Sequence, residues 1–262
     1  MGRETYLIPM QWEPSIVKWV QVSDTKWEPL RYLFPVPAPE TGKVERFSIL
    51  PFPNKPQYIN NSFIDDFSDN NLGLDWTFIR VPQKNTFSLD SKPGFLRLFS
   101  KPNKIENRKR FSMIGFRQRE SDFDYEVKME YYPSDDKVES GIIHYQKEWN
   151  YMTNTVYKIG KKFYLEQKLK EKNKEVVSLK KIILRNYDGS IILRVTSKKD
   201  KYNFYYSLDN GKNFDYYTTV DAIKMLDRNY TGALLGVFSS SNGKKSNDYA
   251  DYDWVRYKDY IR

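Results

Sequence analysis

The sequence contains no cysteine and one histidine in 262 residues. Without thiols there is no disulfide framework, no thiolate zinc site and no cysteine nucleophile. One histidine cannot build a triad by itself, and neither Ser112 nor Ser140 stands in a nucleophile-elbow context. His144, in the apolar run Gly141 to Gln146, reads as a sheet histidine with its ring hydrogen-bonded. Long apolar runs are also missing: none reaches the roughly 18 residues that suggest a membrane span. No basic leader with an apolar run of about 7 to 15 residues opens the chain. The expectation is a soluble chain, cytoplasmic if complete, although a signal would be lost with any residues preceding Met1. Helical periodicity is nearly absent too, and only Thr219 to Leu226 reads as a helix.

What the chain does have is aromatic alternation. Twenty-one tyrosines and sixteen phenylalanines suit strands, because cross-strand aromatic pairs stabilise sheets. Period-2 patterns recur over Phe95 to Phe99, Tyr125 to Tyr131, Gly141 to Gln146, Tyr151 to Ile159, Ile182 to Leu184, Ile191 to Thr196, Asn203 to Ser207, Leu234 to Phe238 and Trp254 to Tyr257. Turn signals punctuate them at Lys92-Pro93-Gly94, Asp188-Gly189, Asp209-Asn210-Gly211 and Asn242-Gly243. The pattern predicts an all-β chain, either a two-sheet sandwich or a jelly roll.

The net charge of +9 is concentrated. Residues 101–120 carry seven Lys or Arg against two Glu, and residues 158–185 carry ten against three. Lys161-Lys162-Phe163-Tyr164 interleaves cations with rings as a nucleic-acid groove does. Alternating charged and apolar residues is also how a strand with one wet face reads, and we take that reading, expecting no nucleic-acid or membrane partner. Composition divides the chain into residues 1–35, a stiff proline-rich linker over 36–60, and a sandwich over 61–262. Phe63 to Phe67 would begin its first strand and Ala250 to Val255 form its last, and the two are expected to pair.

The run Gly2-Arg3-Glu4-Thr5-Tyr6-Leu7, followed by Pro9 and Gln11-Trp12, resembles the closing blade of the five-bladed propeller in glycoside hydrolase family 43. This is the family of β-xylosidases and α-arabinofuranosidases. Later segments resemble the same family in order: Ile64-Asp65-Asp66-Phe67, Leu74 to Pro82, Ser91 to Leu98 and Ser112 to Gln118. They look like landmarks of the concanavalin-like sandwich that follows the propeller. The resemblance implies an all-β concanavalin A-like sandwich preceded by a remnant of the last blade. It implies an accessory C-terminal domain that braces the propeller and closes the sugar pocket of an enzyme acting on xylan-derived oligosaccharides. A free-standing carbohydrate-binding module is the alternative. A truncated gene model, a decayed copy and a split enzyme would all give such a chain.

Inverting glycosidases hold two carboxyl groups about 6.5 to 9.5 Å apart across the scissile bond. On the resemblance, those carboxylates and the aspartate that tunes them come from blades preceding Met1, so no catalytic residue is assigned. The visible acids lie in turns or on alternating strand faces. Arg3 is the implied sugar contact, since the family's arginine at this place points into the propeller pocket, and a guanidinium fork suits paired hydroxyls. Glu4 is implied to be structural. Tyr230, before Thr231-Gly232-Ala233, occupies the place of a ring that leans over the propeller mouth, although charged residues precede it where the family has apolar ones. Asp65, Asp66, Asp251 and Asp253 would meet if the terminal strands pair, and oxygen ligands of that kind could hold a structural calcium; no other cofactor is expected. Trp12, Trp19 and Trp27 are expected at the propeller or domain boundary, and Trp76, Trp149 and Trp254 in the core or at a boundary. Asn60-Asn61-Ser62 and Asn229-Tyr230-Thr231 are glycosylation sequons that matter only in a secretory compartment.

Overall fold

A computed structural model describes residues 9–43, 62–136, 138–198, 200–225 and 232–260. They fall into two units, treated separately. The first is a hairpin of β1 (Met10–Ser23) and β2 (Lys26–Pro37), closed by a turn at Asp24-Thr25. Pro37, which composition places in the linker over 36–60, instead stands in β2 opposite Met10, as Pro35 stands opposite Trp12. A two-stranded ribbon is edge on both sides, so a proline without an N–H costs it no ladder bond where that N–H would face outward. A register shift between Ile16 and Lys18 changes the phase of β1 by one residue. Trp12 and Trp19, of opposite parity in sequence, therefore share one face of the ribbon with Trp27.

The second unit contains β3 (Phe63–Asp65), β4 (Phe87–Ser88), β5 (Leu96–Phe99), β6 (Ser112–Arg117), β7 (Phe123–Glu130) and β8 (Glu139–Lys147). It continues through β9 (Asn150–Ile159), β10 (Lys162–Lys170), β11 (Val177–Ile183), β12 (Ser190–Lys198) and β13 (Lys201–Ser207). β14 (Asp215–Asp221), β15 (Leu234–Ser240) and β16 (Tyr249–Asp259) complete it. One sheet has the order β11-β10-β9-β8-β15-β6. The eight-stranded sheet runs β14-β13-β12-β7-β16-β5-β4, with β3 also on β16. The terminal strands pair as expected, with Val255 opposite Asp65.

The expected helix at Thr219 to Leu226 is not formed over the described residues. Thr218, Thr219 and Val220 belong to β14, and only a 3-10 turn at Ala222–Met225 follows. Three β-branched residues in succession stiffen χ1 and favour the pleated surface. The Lys-rich stretch forms β10 and the exposed edge strand β11, which begins at Val177 rather than Ile182. Lysines on an edge discourage pairing with other chains. No helix among the described residues is long and apolar enough to cross a membrane.

The main core lies between the sheets. Ile114, Phe116, Ile142, Val156, Leu165 and Val237 face Phe123, Val127, Leu193, Phe204, Tyr252 and Tyr257, all buried. Buried tyrosines also tie one sheet to the other. The Tyr252 hydroxyl reaches the carbonyl oxygens of Gly141 and Phe238 at 2.9 and 3.0 Å. Tyr217 reaches those of Leu165 and Lys180, beside the bulge between β10 and β11. A tyrosine in such a place needs a polar partner for its hydroxyl, and sheet carbonyls provide it.

Gly141 is required by the tightest close approach of the described glycines. A Cβ on Gly141 would lie 2.1 Å from the Asn154 carbonyl oxygen and 2.9 Å from the Thr155 Cα, both backbone atoms of the neighbouring strand. Gly141→Ala is therefore expected to destabilise the sandwich by about 1 to 3 kcal/mol, the usual cost of forcing an added carbon into a packed interior. Gly73→Ala, where an added Cβ meets nothing within 4 Å, serves as the control. Equal urea midpoints for the two variants would refute the expectation.

Candidate functional site

Arg3, Glu4 and Tyr230 lie outside the described residues, as do Asn60, Asn61 and Asn229 of the sequons. The structure does describe the residues flanking 226–231. Before it, Met225 is buried and the Ala222 amide donates to the Asp200 carbonyl oxygen at 2.8 Å. After it, Ala233 is buried and Leu234 opens β15.

Gly232 and Leu234 line a cavity of about 330 Å³ together with Arg80, Arg117, Tyr145 and Glu148. Arg80 donates from Nη2 to Glu148 Oε1 at 2.8 Å, while its buried Nη1 has no partner. Burial alone would raise the Glu148 carboxyl pKa, but the Arg80 hydrogen bond, the Glu148 backbone amide, and the charges of Arg80 and Arg108 hold it below the usual range. Burial, reinforced by Glu148, pushes the Tyr145 hydroxyl well up. At neutral pH the cavity therefore presents an ionised acceptor in Glu148 and a protonated hydroxyl donor in Tyr145. Arg80 and Glu148 are 68 positions apart, and no local pattern in the sequence marks them as a pair.

The four aspartates proposed as calcium ligands are each engaged elsewhere. Asp65 accepts from the Trp76 indole at 2.6 Å and from the Phe67 amide at 2.9 Å. Asp66 accepts from the Ser68 amide. Asp251 takes both prongs of Arg97, at 2.7 and 2.9 Å, and Asp253 pairs with Lys128 at 2.8 Å. Asp251 faces β5 and not β3, because β3 and β5 lie along successive stretches of the same flank of β16. Among the described residues, no group of three or more Asp, Glu, His or Cys is placed to hold a metal ion.

His144 is buried, but its Nε2 has no hydrogen-bond partner. This corrects the expectation of a hydrogen-bonded ring. The ring is surrounded by Tyr202, Phe204 and Tyr125, with centroids 5.0, 5.7 and 6.5 Å away. The nearest hydroxyl-bearing ring, Tyr202, donates to Gln118 instead. Ser140 shares a 2.6 Å hydrogen bond with Ser239, which makes another with Ser100. Neither group forms a nucleophile with a base. Trp76 is buried, and Trp149 and Trp254 are half-buried. Trp12, Trp19 and Trp27 are each more than half exposed, at 62, 58 and 57%.

Known proteins share this architecture. The chain is 27% identical over 272 aligned residues to a non-reducing end alpha-L-arabinofuranosidase of Bacteroides ovatus, covering 98% of this chain and 45% of that protein. It is 26% identical to a xylosidase/arabinosidase of Butyrivibrio fibrisolvens, covering 97% and 46% respectively. A crystal structure of a glycoside hydrolase family 43 protein from Bacillus licheniformis superposes with a TM-score of 0.74 at 26% identity, over 99% of this chain and 47% of that one. The chain thus spans about half the length of the relatives it matches. Residues 64–258 match the beta xylosidase C-terminal concanavalin A-like domain. With most of its residues inside that match and relatives of the same kind along its length, the chain belongs to the C-terminal concanavalin A-like domain family of glycoside hydrolase family 43.

Proposed function

We propose that this chain is the accessory C-terminal part of a glycosidase acting on xylan-derived oligosaccharides. In this role it braces a propeller and supplies one wall of the sugar pocket, and it does not hydrolyse glycosides alone. The observation that carries the reading is the tryptophan face of the β1–β2 hairpin. Three tryptophans lie together on one side of a two-stranded ribbon, each more than half exposed. A two-stranded hairpin alone is marginal in water, and a contiguous apolar face of this kind marks a surface that another element covers. This chain spans only about half the length of relatives it matches, which leaves room in a complete protein for such an element. In the proposed assembly Arg3 donates to sugar hydroxyls and Tyr230 leans over the pocket from the segment following the 3-10 turn.

The test is an assay with aryl β-xyloside and aryl α-arabinofuranoside. The chain alone is expected to be inactive, and a fusion behind the propeller half of the Bacteroides ovatus relative is expected to be active. Turnover by the isolated chain would overturn the proposal. So would a folded fusion no more active than that propeller half alone.

A further inference from the structure

The cations concentrated in residues 101–120 gather around one open cavity of about 650 Å³, where Arg108, Lys109 and Arg110 meet Arg80. Lys101 lines the adjoining space with Arg80, Lys109 and Arg110, and no carboxylate lines either. Arg80 is neutralised by Glu148. Among the described residues, Lys101, Arg108, Lys109 and Arg110 form no ion pair. The eight-stranded sheet is different, because Lys92, Arg97, Lys128, Arg194 and Arg256 on it each pair with a carboxylate. Cations held together in a cleft without counter-charges focus a positive field that concentrates anions there.

The segment that carries these cations is held in place. Ile105 and Phe111 are buried in a second hydrophobic cluster with Met113, Ile143, Tyr145 and Phe238. The carbonyl oxygens of Lys101 and Pro102 accept from the Ser241 and Gly243 amides at 3.0 and 2.9 Å, and Asn103 Nδ2 donates to the Arg110 carbonyl oxygen at 2.7 Å. Arg108 follows the 3-10 turn Ile105–Asn107 with φ of 53°, a left-handed backbone that glycine or asparagine adopts at lower cost. Backbone strain of this kind collects where a side chain is used. Arg80 comes from a separate segment, is fixed through Nη2, and keeps a buried Nη1 donor with no partner. A buried donor normally has one.

We infer that this cleft binds a small ligand bearing linked phosphate groups. Four cations without counter-charges are not neutralised by a single carboxylate, whereas a di- or triphosphate carries several charges in a short length. The guanidinium forks of Arg108 and Arg110 match phosphate oxygens two at a time. No aromatic ring lines the open cavity, so nothing there would stack on a base or a sugar. Carboxylates bound the positive region on both flanks. Glu148 lines the cavity that shares Arg80, and Glu106, Glu139 and Glu166 line one beside the 3-10 turn Ile105–Asn107. A long polyanion leaving the cleft would meet these charges, and a short one would not.

The probe is tripolyphosphate, titrated calorimetrically into the full chain at low ionic strength, and one saturable site is expected. Replacing the exposed pair Lys109→Gln and Arg110→Gln is expected to weaken binding about tenfold. Arg108→Gly, which suits the left-handed backbone, is a second variant expected to weaken it also. Lys161→Gln with Lys162→Gln, in and after the turn between β9 and β10, removes the same net charge as the first pair and is expected to change affinity less than twofold. The inference is overturned if no saturable binding is seen, or if either folded cleft variant binds as the parent does. It is equally overturned if the Lys161 and Lys162 substitutions weaken binding as much, or if a single-stranded oligonucleotide of equal charge binds more tightly than tripolyphosphate at the same salt concentration.

Discussion

Trp76→Ala is expected to lower the stability of the sandwich by about 3 to 5 kcal/mol, the range for truncating a large buried ring. Trp76 sits where the chain crosses from one sheet to the other. β3 pairs with β16 in the eight-stranded sheet. Thr77 then exchanges hydrogen bonds of 2.6 and 3.1 Å with Gly115 at the edge of β6. Between these two attachments the indole fills the open side of the core, with Phe63, Phe67 and Phe116 centroids at 6.2, 5.9 and 5.7 Å. Removing it opens a void and also strips Asp65 of the indole donor at 2.6 Å. Trp76→Phe keeps much of the ring and loses the hydrogen bond, so it is expected to cost only about 1 to 2 kcal/mol. Urea unfolding of the full chain measures both. Trp76→Ala with an unshifted midpoint would show that the crossing segment does not close the core.

The second large effect is acid sensitivity originating at one side chain. Burial lowers the pKa of His144 from 6.5 to about 3. Above pH 6.5 the ring is neutral whether the chain is folded or unfolded, and it contributes no penalty. As pH falls below 6.5 the unfolded chain takes up a proton that the folded chain refuses, so stability declines until pH approaches 3. By pH 5 the loss from this residue is about 2 kcal/mol. The window between pH 5 and 6.5 is well isolated, because the chain has no other histidine and ordinary carboxylates titrate lower. Burial raises the Glu120 pKa, which acts in the opposite direction, but it remains constant when parent and variant are compared. His144→Leu is expected to remove this part of the pH slope. A variant whose urea midpoint falls between pH 6.5 and 5 as steeply as the parent's would refute the assignment.

Much of the fold was legible. Strand periodicity marked most of the sandwich, and the pairing of its first and last strands followed from the expected jelly-roll arrangement. The misreadings have local causes. Thr219 to Leu226 mixes β-branched residues with helix formers, and the sheet neighbours of β14 decided in favour of the strand. Pro37 read as linker because a proline excludes a central strand, yet a two-stranded ribbon has no central strand. The candidate site was less legible. The residues singled out for it, Arg3 and Tyr230, rest on resemblance and lie outside the described residues. The Arg80–Glu148 pair and the cavity beside residue 232 leave no mark in the one-dimensional pattern.

By itself, the sequence determined the all-β class, the absence of thiol chemistry and of a histidine triad, and the family that its short motifs resemble. These follow from residue inventory and from a period of two along the chain, both of which are local. Tertiary structure alone decided that Trp12, Trp19 and Trp27 share a face, that Trp76 closes the crossing between sheets, that His144 lacks a polar partner, and that Glu106, Glu139 and Glu166 surround one cavity. Each depends on register, and register is set by which strands meet and where a bulge intervenes. One added residue reverses the facing of every side chain beyond it, so neighbours across strands cannot be read from positions along one.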